Sequence, residues 1–297
     1  MLVLLAVLLP CVFAQTNDTI IDALKASSRE QTLVALIQQA GLTDVLATGG
    51  PFTLFAPDDL AFSKLPSATL TMLKNDTNAL AEILKYHVVS GTYKMDDLKV
   101  NEMMLETLTG DQLRVNDYMY KRRITIEGAT ITYADKIVSN GVIHRVSQVL
   151  MPPKGSVVDV LQADGSFNTL IAAAQAAGLV DALADGPITV MAPDDNAFAS
   201  LGNETVSKLL ANPDILADVL KYHVIHGSLY SAGMHSEYLN TLEQDDRERL
   251  YASFTGYSLS VDGARVTDRD MSATNGVVHK INHVLVPSSL KAKIAAL

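Results

Sequence analysis

The chain has 297 residues, 48% of them hydrophobic and 19% charged, with 23 basic against 33 acidic side chains and a net charge of −10. That apolar fraction excludes a disordered chain, and 10 Pro with 17 Gly exclude a collagen-like or linker-like one. Residues 15–153 carry 13 basic and 16 acidic side chains and residues 154–297 carry 10 and 17, so neither half has the positive face that nucleic acid or an anionic membrane needs.

The first segment, Leu2 to Pro10, is almost wholly apolar and is followed by Cys11-Val12-Phe13-Ala14 and then the polar Gln15-Thr16-Asn17-Asp18. An apolar core of about nine residues ending in small side chains reads as a secretory signal peptide, residues 1–14, cut after Ala14. It is too short to span a bilayer, which takes about 20 apolar residues, although no Lys or Arg precedes it. No later segment reaches spanning length, and the short tail 288–297 lacks the apolar run of a lipid-anchor signal. The expected mature chain is soluble and secreted to the extracellular space. Cys11, the single cysteine, would leave with the signal, so no disulfide, cysteine metal site or thiol nucleophile is expected. Asn17, Asn75 and Asn203 each begin an Asn-x-Thr sequon and are candidate glycosylation sites.

The elements then run as follows. Leu33, Leu36, Ile37 and Ala40 form one apolar helix face that ends at Gly41. Phe52 to Phe55 is a short buried strand, Pro57 stops it, and Asp58-Asp59 starts a helix. A further helix is predicted from about Asn78 to Tyr86. From there the period changes to two. Ile124-Thr125-Ile126-Glu127-Gly128 reads as a strand with a hairpin turn, and Asn140-Gly141 is a strong turn signal feeding a last strand. The same order then recurs: a face of Leu170, Ala173, Ala174 and Ala177 ended by Gly178, a strand Ile188 to Met191, Asp194-Asp195, a helix from Pro213 to Tyr222, Leu259 to Gly263, and Asn275-Gly276.

This is a repeat at an offset of 135–137 residues. Ala56-Pro57-Asp58-Asp59-Leu60-Ala61-Phe62 returns as Ala192-Pro193-Asp194-Asp195-Asn196-Ala197-Phe198. Leu84-Lys85-Tyr86-His87-Val88 returns unchanged as Leu220-Lys221-Tyr222-His223-Val224. Asn140-Gly141-Val142-Ile143-His144 returns as Asn275-Gly276-Val277-Val278-His279, and both copies close on Val-Leu-x-Pro. The period is far longer than the roughly 20–50 residues of solenoid repeats, so each copy is expected to be a self-contained domain: 15–153 and 154–287, joined by a linker of about Pro153-Lys154-Gly155. Helices early and strands late in each copy predict an α+β fold.

Taken together, Thr-x-Phe-Ala-Pro with Ala-Phe behind it, Tyr-His, Asn-Gly-Val-x-His and the closing Val-Leu-x-Pro resemble the fasciclin (FAS1) domain, over about Thr19–Pro152 and Ser156–Pro287. The resemblance implies two tandem domains, each a β-sandwich or wedge with helices packed around it. It implies a role in cell adhesion or the extracellular matrix through integrin-like receptors, matrix proteins or self-association, with no cofactor. In the family, an Asp-Ile element before the Asn-Gly block and the Tyr-His region are implicated in adhesion. Carried over, these are Asp135 and Asp270, Tyr86-His87 and Tyr222-His223. Asp135 is followed by Lys136, whereas Asp270-Met271 keeps the acidic-then-apolar pair, which makes the second domain the better candidate. Two departures from the family pattern stand in the last strand, Val146-Ser147 and Ile281-Asn282.

Each candidate has a plainer reading beside the functional one. An exposed Asp could complete a receptor-held cation site, since hard cations take oxygen ligands, or it could only shape a turn. Asp58-Asp59 and Asp194-Asp195 could split their pKa values for proton chemistry, but after Ala-Pro they fit helix capping better. Four histidines in apolar surroundings without a His-Glu-x-x-His spacing are structural rather than metal ligands. Lys121-Arg122-Arg123 could bind a sulfated glycan or could be a solvated hairpin tip. No nucleophile elbow or phosphate loop is present, so no enzyme is expected. The alternative function is an extracellular carrier of a small apolar or glycan ligand, marked by an apolar cavity between sheet and helices.

Overall fold

The computed structural model describes residues 17–243, 248–255 and 258–296. The predicted signal peptide and Cys11 lie outside the described residues. In the first repeat the elements are α1 (Ile20–Lys25), α2 (Gln31–Gln39), α3 (Thr43–Thr48), β1 (Phe52–Pro57), α4 (Asp59–Ser63), α5 (Ser67–Asn75), α6 (Thr77–Tyr86), β2 (Val88–Ser90), β3 (Met103–Glu106), β4 (Gln112–Tyr118), β5 (Arg123–Ile126), β6 (Ala129–Val138) and β7 (Gly141–Val146). The second repeats the plan with α7 (Val157–Asp164), α8 (Asn168–Ala176), α9 (Val180–Ala184), β8 (Ile188–Pro193), α10 (Asp195–Leu201), α11 (Asn203–Leu210), α12 (Pro213–Tyr222), β9 (Val224–His226), β10 (Glu237–Leu239), β11 (Leu250–Thr255), β12 (Ser258–Val261), β13 (Ala264–Ala273), β14 (Gly276–Ile281) and a closing α13 (Ser288–Ala296). The α+β expectation holds: each repeat is a mixed seven-stranded sheet with helices, in the order β2-β1-β7-β6-β5-β4-β3 and β10-β11-β12-β13-β14-β8-β9.

The last strand of each repeat returns to pair in parallel with the first, Phe52 opposite Gly141 and Ile188 opposite Gly276, while β2 and β9 flank the other side antiparallel. β1 and β8 therefore lie inside the sheet, which is why they read as short continuous apolar runs rather than alternating ones. Glu127 and Asp262 have φ of 47° and 46°, and the glycines after them 79° and 83°. These are the two left-handed positions of a tight hairpin turn, as the sequence predicts.

Each Asp pair caps two helices rather than one. Asp58 accepts from the Ala61 N–H at 2.8 Å at the start of α4, while Asp59 accepts from the Thr32 N–H at 2.7 Å and so caps α2. Asp194 and Asp195 do the same for α10 and α8, at 2.7 Å to Ala197 and 2.7 Å to Thr169. The carboxylates satisfy orphan N–H groups and oppose the helix dipoles, and they tie the strand-to-helix junction to the preceding helix.

By contacts the described residues form two compact units whose boundary cuts across the repeats: 17–96, 107–109 and 132–149 in one, and 97–106, 110–131 and the described residues from 150 onward in the other. In the latter unit, buried polar groups meet around Glu127. Its carboxylate accepts from the Arg114 N–H at 2.7 Å and from the Tyr230 hydroxyl at 2.8 Å, and the Arg114 guanidinium donates to the Thr274 carbonyl at 2.8 Å. Burial pushes the Glu127 carboxyl above its usual range, against the pull of these donors. Gly128 belongs to this packing, since a Cβ there would stand 2.4 Å from the Tyr230 ring.

Candidate functional site

The repeated motifs converge on the loop that follows β2 in the first repeat and β9 in the second. Thr53 is fully buried in β1. Its hydroxyl donates to the Gly91 carbonyl at 2.8 Å and accepts from the Tyr93 N–H at 2.9 Å. His144, buried in β7, bonds the Tyr93 carbonyl through Nε2 at 2.7 Å and accepts from the Asp135 N–H through Nδ1 at 3.3 Å. The Asp135 carboxylate accepts from the Met95 N–H at 2.8 Å. Three motif positions thus hold one loop.

In the second repeat the same positions make the same bonds. Thr189 binds Gly227 and Leu229, His279 binds the Leu229 carbonyl at 2.9 Å and the Asp270 N–H at 3.2 Å, and Asp270 accepts from Ser231. In both, the imidazole is fixed as the neutral Nε2–H tautomer, because Nδ1 must accept. Burial lowers the pKa of both rings below the ordinary histidine value. Asp135 and Asp270 have φ of 57° and 65°, the left-handed region that Asp tolerates better than most residues. Asp270 lies where the β13–β14 register shifts.

The two aspartates differ in what they present outward. Asp270 is half-buried, with Oδ1 2.6 Å from the Ser231 N–H and Oδ2 bonded to the Ser231 hydroxyl, and Met271 packs against the core of its repeat. Asp135 is exposed, and on the same strand Tyr133 and Ile137 are 54% and 52% exposed. Within β6, Tyr133, Asp135 and Ile137 are exposed while Ala134 and Lys136 between them are half-buried; the corresponding positions of β13 are Asp268, Asp270 and Ser272. The sequence preference for the second domain rested on Met271, which points inward. Removing both Ser231 bonds in Asp270→Ala, with alanine forced to φ of 65°, is expected to cost about 2–3 kcal/mol, read as a lower urea midpoint.

The Tyr-His candidates do not reach the surface. Tyr86 and His87 are fully buried, and Tyr222 and His223 are 3% and 1% exposed. His87 and His223 cap α6 and α12, with Nδ1 at 2.7 and 2.8 Å from the carbonyls of Ile83 and Val219. Tyr222 donates its hydroxyl to Asp262 at 2.6 Å. A direct receptor contact by these side chains is corrected to an interior role, because a helix C-cap imidazole under an apolar sheet is held by backbone.

The basic run also has internal partners: Lys121 donates to the Met234 carbonyl and lies 4.8 Å over the Phe254 ring, and Arg123 donates to the Ala232 carbonyl at 3.3 Å. Asn17, Asn75 and Asn203 are exposed. Among the described residues, no group of three or more His, Cys, Asp or Glu could hold a metal ion, and no helix is long and apolar enough to cross a membrane.

Sequence reasoning missed the side chain of the Asn-Gly motif. Asn140 accepts from the Ile20 N–H at 2.8 Å and donates to the carbonyls of Leu46 and Gly49, both at 2.9 Å. Asn275 repeats this with Val157, Leu183 and Ala184. The one available signal was that both copies keep Asn, not merely some turn residue.

The chain is similar to known proteins over most of its length. The chain is 30% identical over 249 residues to transforming growth factor-beta-induced protein ig-h3 of Oryctolagus cuniculus, covering 82% of this chain and 35% of that protein. It is 28% identical over 264 residues to periostin of Homo sapiens, covering 89% and 30%. The chain thus spans about a third of the length of these curated relatives. A solved FAS1 domain pair from the insect cell adhesion molecule Fasciclin I aligns over 86% of this chain and 96% of its own, at 20% identity and a TM-score of 0.42. The Fasciclin domain family matches residues 28–152 and again 165–287, which takes in the buried Thr, the Tyr-His cap and the Asn-Gly-Val-x-His strand of both repeats, and the chain belongs to the fasciclin domain family.

Proposed function

We propose that this chain is a secreted, non-enzymatic adhesion or extracellular-matrix protein, and that its principal contact face is on β6 of the first repeat. Likeness over more than four-fifths of the chain to periostin and to the ig-h3 protein supports the class. The observation that carries the site is the exposed row of Tyr133, Asp135 and Ile137. An aromatic and an aliphatic side chain flanking a carboxylate suit a protein partner: the apolar groups lose water on contact, and the charge sets orientation. The chemistry fits an integrin-like receptor whose bound divalent cation has an open oxygen position. The Arg145 guanidinium, 5.4 Å over the Tyr133 ring and ion-paired with Glu30, holds that ring in place.

Cells plated on the purified protein are expected to attach in the presence of magnesium and to detach with chelator. Asp135→Asn removes the charge while keeping Oδ1 as an acceptor and tolerating the left-handed φ. It should reduce attachment several-fold at an unchanged melting temperature, and Tyr133→Ser with Ile137→Ser should reduce it further. Full attachment by the triple variant would remove this face from the proposal. Glycan at Asn17, Asn75 and Asn203, read as a mass loss with peptide N-glycosidase, would agree with export.

A further inference from the structure

The first unit contains a cavity of about 210 Å³ between α2, α3 and α6 on one side and β1 on the other. Leu33, Ile37, Leu54 and Leu84 form its walls, and Val45, which lines it and is 43% exposed, stands at its mouth. The polar side chains in the lining are His87, whose Nδ1 is committed to the Ile83 carbonyl, and Lys85. The matching place in the second repeat is lined by Leu170, Ala174, Ala182, Val190 and Leu220, yet holds only about 20 Å³. Ile37, Val45 and Leu54 are larger than their counterparts Ala174, Ala182 and Val190, so the space in the first repeat is not a gap left by small side chains.

We propose that this cavity binds one aliphatic chain of about eight carbons ending in a carboxylate. The size follows by comparison: an apolar cavity of roughly 150 Å³ takes the six carbons of benzene, and the same scale gives about eight here. Water is a poor occupant, because it needs two to four polar partners and the walls are leucine, isoleucine and valine. An empty void of this volume is itself destabilising, so an apolar occupant is favoured. The head group follows from Lys85, the one cation in the lining. Its partner Glu82, 2.9 Å away, is 58% exposed, and an exposed pair of this kind is weak enough to be exchanged.

Titration calorimetry of the full chain with sodium octanoate is expected to give saturable one-to-one binding. Val45→Trp, at the exposed mouth, should weaken it at least tenfold with an unchanged circular dichroism spectrum, while Ala182→Trp in the second repeat should leave it unaltered. Lys85→Met should weaken octanoate about tenfold and leave 1-octanol as in the parent. A readout that needs no variant is chain length: affinity should climb from butanoate to octanoate and level off beyond. Absence of binding by both octanoate and octanol, binding that survives in a folded Val45→Trp protein, or binding lost on Ala182→Trp would overturn the site. Octanol binding without octanoate would overturn the head group, and affinity still climbing through dodecanoate would overturn the size.

Discussion

Acidification from pH 7 to pH 4 is expected to remove about 3 kcal/mol of folding free energy for each of His87 and His223. Burial depresses both imidazoles from 6.5 to about 4 in the folded chain, against the upward pull of the backbone bonds from Ile83 and Val219. Between those two values the unfolded chain binds a proton that the folded chain refuses, so stability rises with pH there and is lost as pH falls. Above 6.5 the contribution is complete; near 4 it is gone. The bonding explains the refusal. His223 uses Nδ1 toward the Val219 carbonyl and accepts the Leu285 N–H on Nε2 at 2.9 Å, so a second proton would place donor against donor in an apolar interior. His144 and His279 are shifted in the same direction and steepen the profile. Urea unfolding free energies measured at half-unit steps of pH should show the fall; a flat profile from 7 to 4.5 would show that the rings carry charge in the fold.

The second large effect is expected from Gly141→Ala or Gly276→Ala, each losing about 4 kcal/mol or more, enough to unfold a marginal domain. A Cβ at Gly141 would lie 2.0 Å from the Phe52 carbonyl oxygen, and one at Gly276 would lie 2.0 Å from that of Ile188. The obstructing atom is backbone of the neighbouring parallel strand, so it cannot swing away as a side chain could. Gly110→Ala serves as the comparison: φ is 87° there, but nothing lies within 4 Å of the added carbon, and the cost should stay near 1 kcal/mol. Thermal melts of the three variants separate the cases, and equal melting temperatures would refute the close approach as the reason for glycine.

The Asn-Gly pair illustrates how far local reading reaches. Asn-Gly between apolar runs signals a hairpin, and a turn with a final strand is indeed there. Yet neither Ser139 nor Asn140 has positive φ, so this is not the primed two-residue turn that the dipeptide usually makes. Its glycine answers to Phe52, 89 residues away, and its asparagine to the carbonyls of Leu46 and Gly49 at separations of 94 and 91. The paired aspartates show the same limit. Capping was legible from Ala-Pro-Asp-Asp, but the second Asp of each pair serves a helix 26 or 27 residues upstream.

What the sequence determined by itself was whatever neighbours along the chain decide: the duplicated module, the helix faces at a spacing of three and four, the caps, the Glu127-Gly128 turn and the α+β class. Tertiary structure decided which side chains face water. Tyr86-His87 is interior because α6 lies under the sheet, Asp270 is occupied because Ser231 comes back to it across 39 residues, and Asp135 remains exposed between Tyr133 and Ile137. Periodicity and capping involve atoms a few residues apart, whose geometry the backbone dictates. Exposure, hydrogen-bond occupancy and the shape of a cavity depend on groups brought together only when distant strands pair.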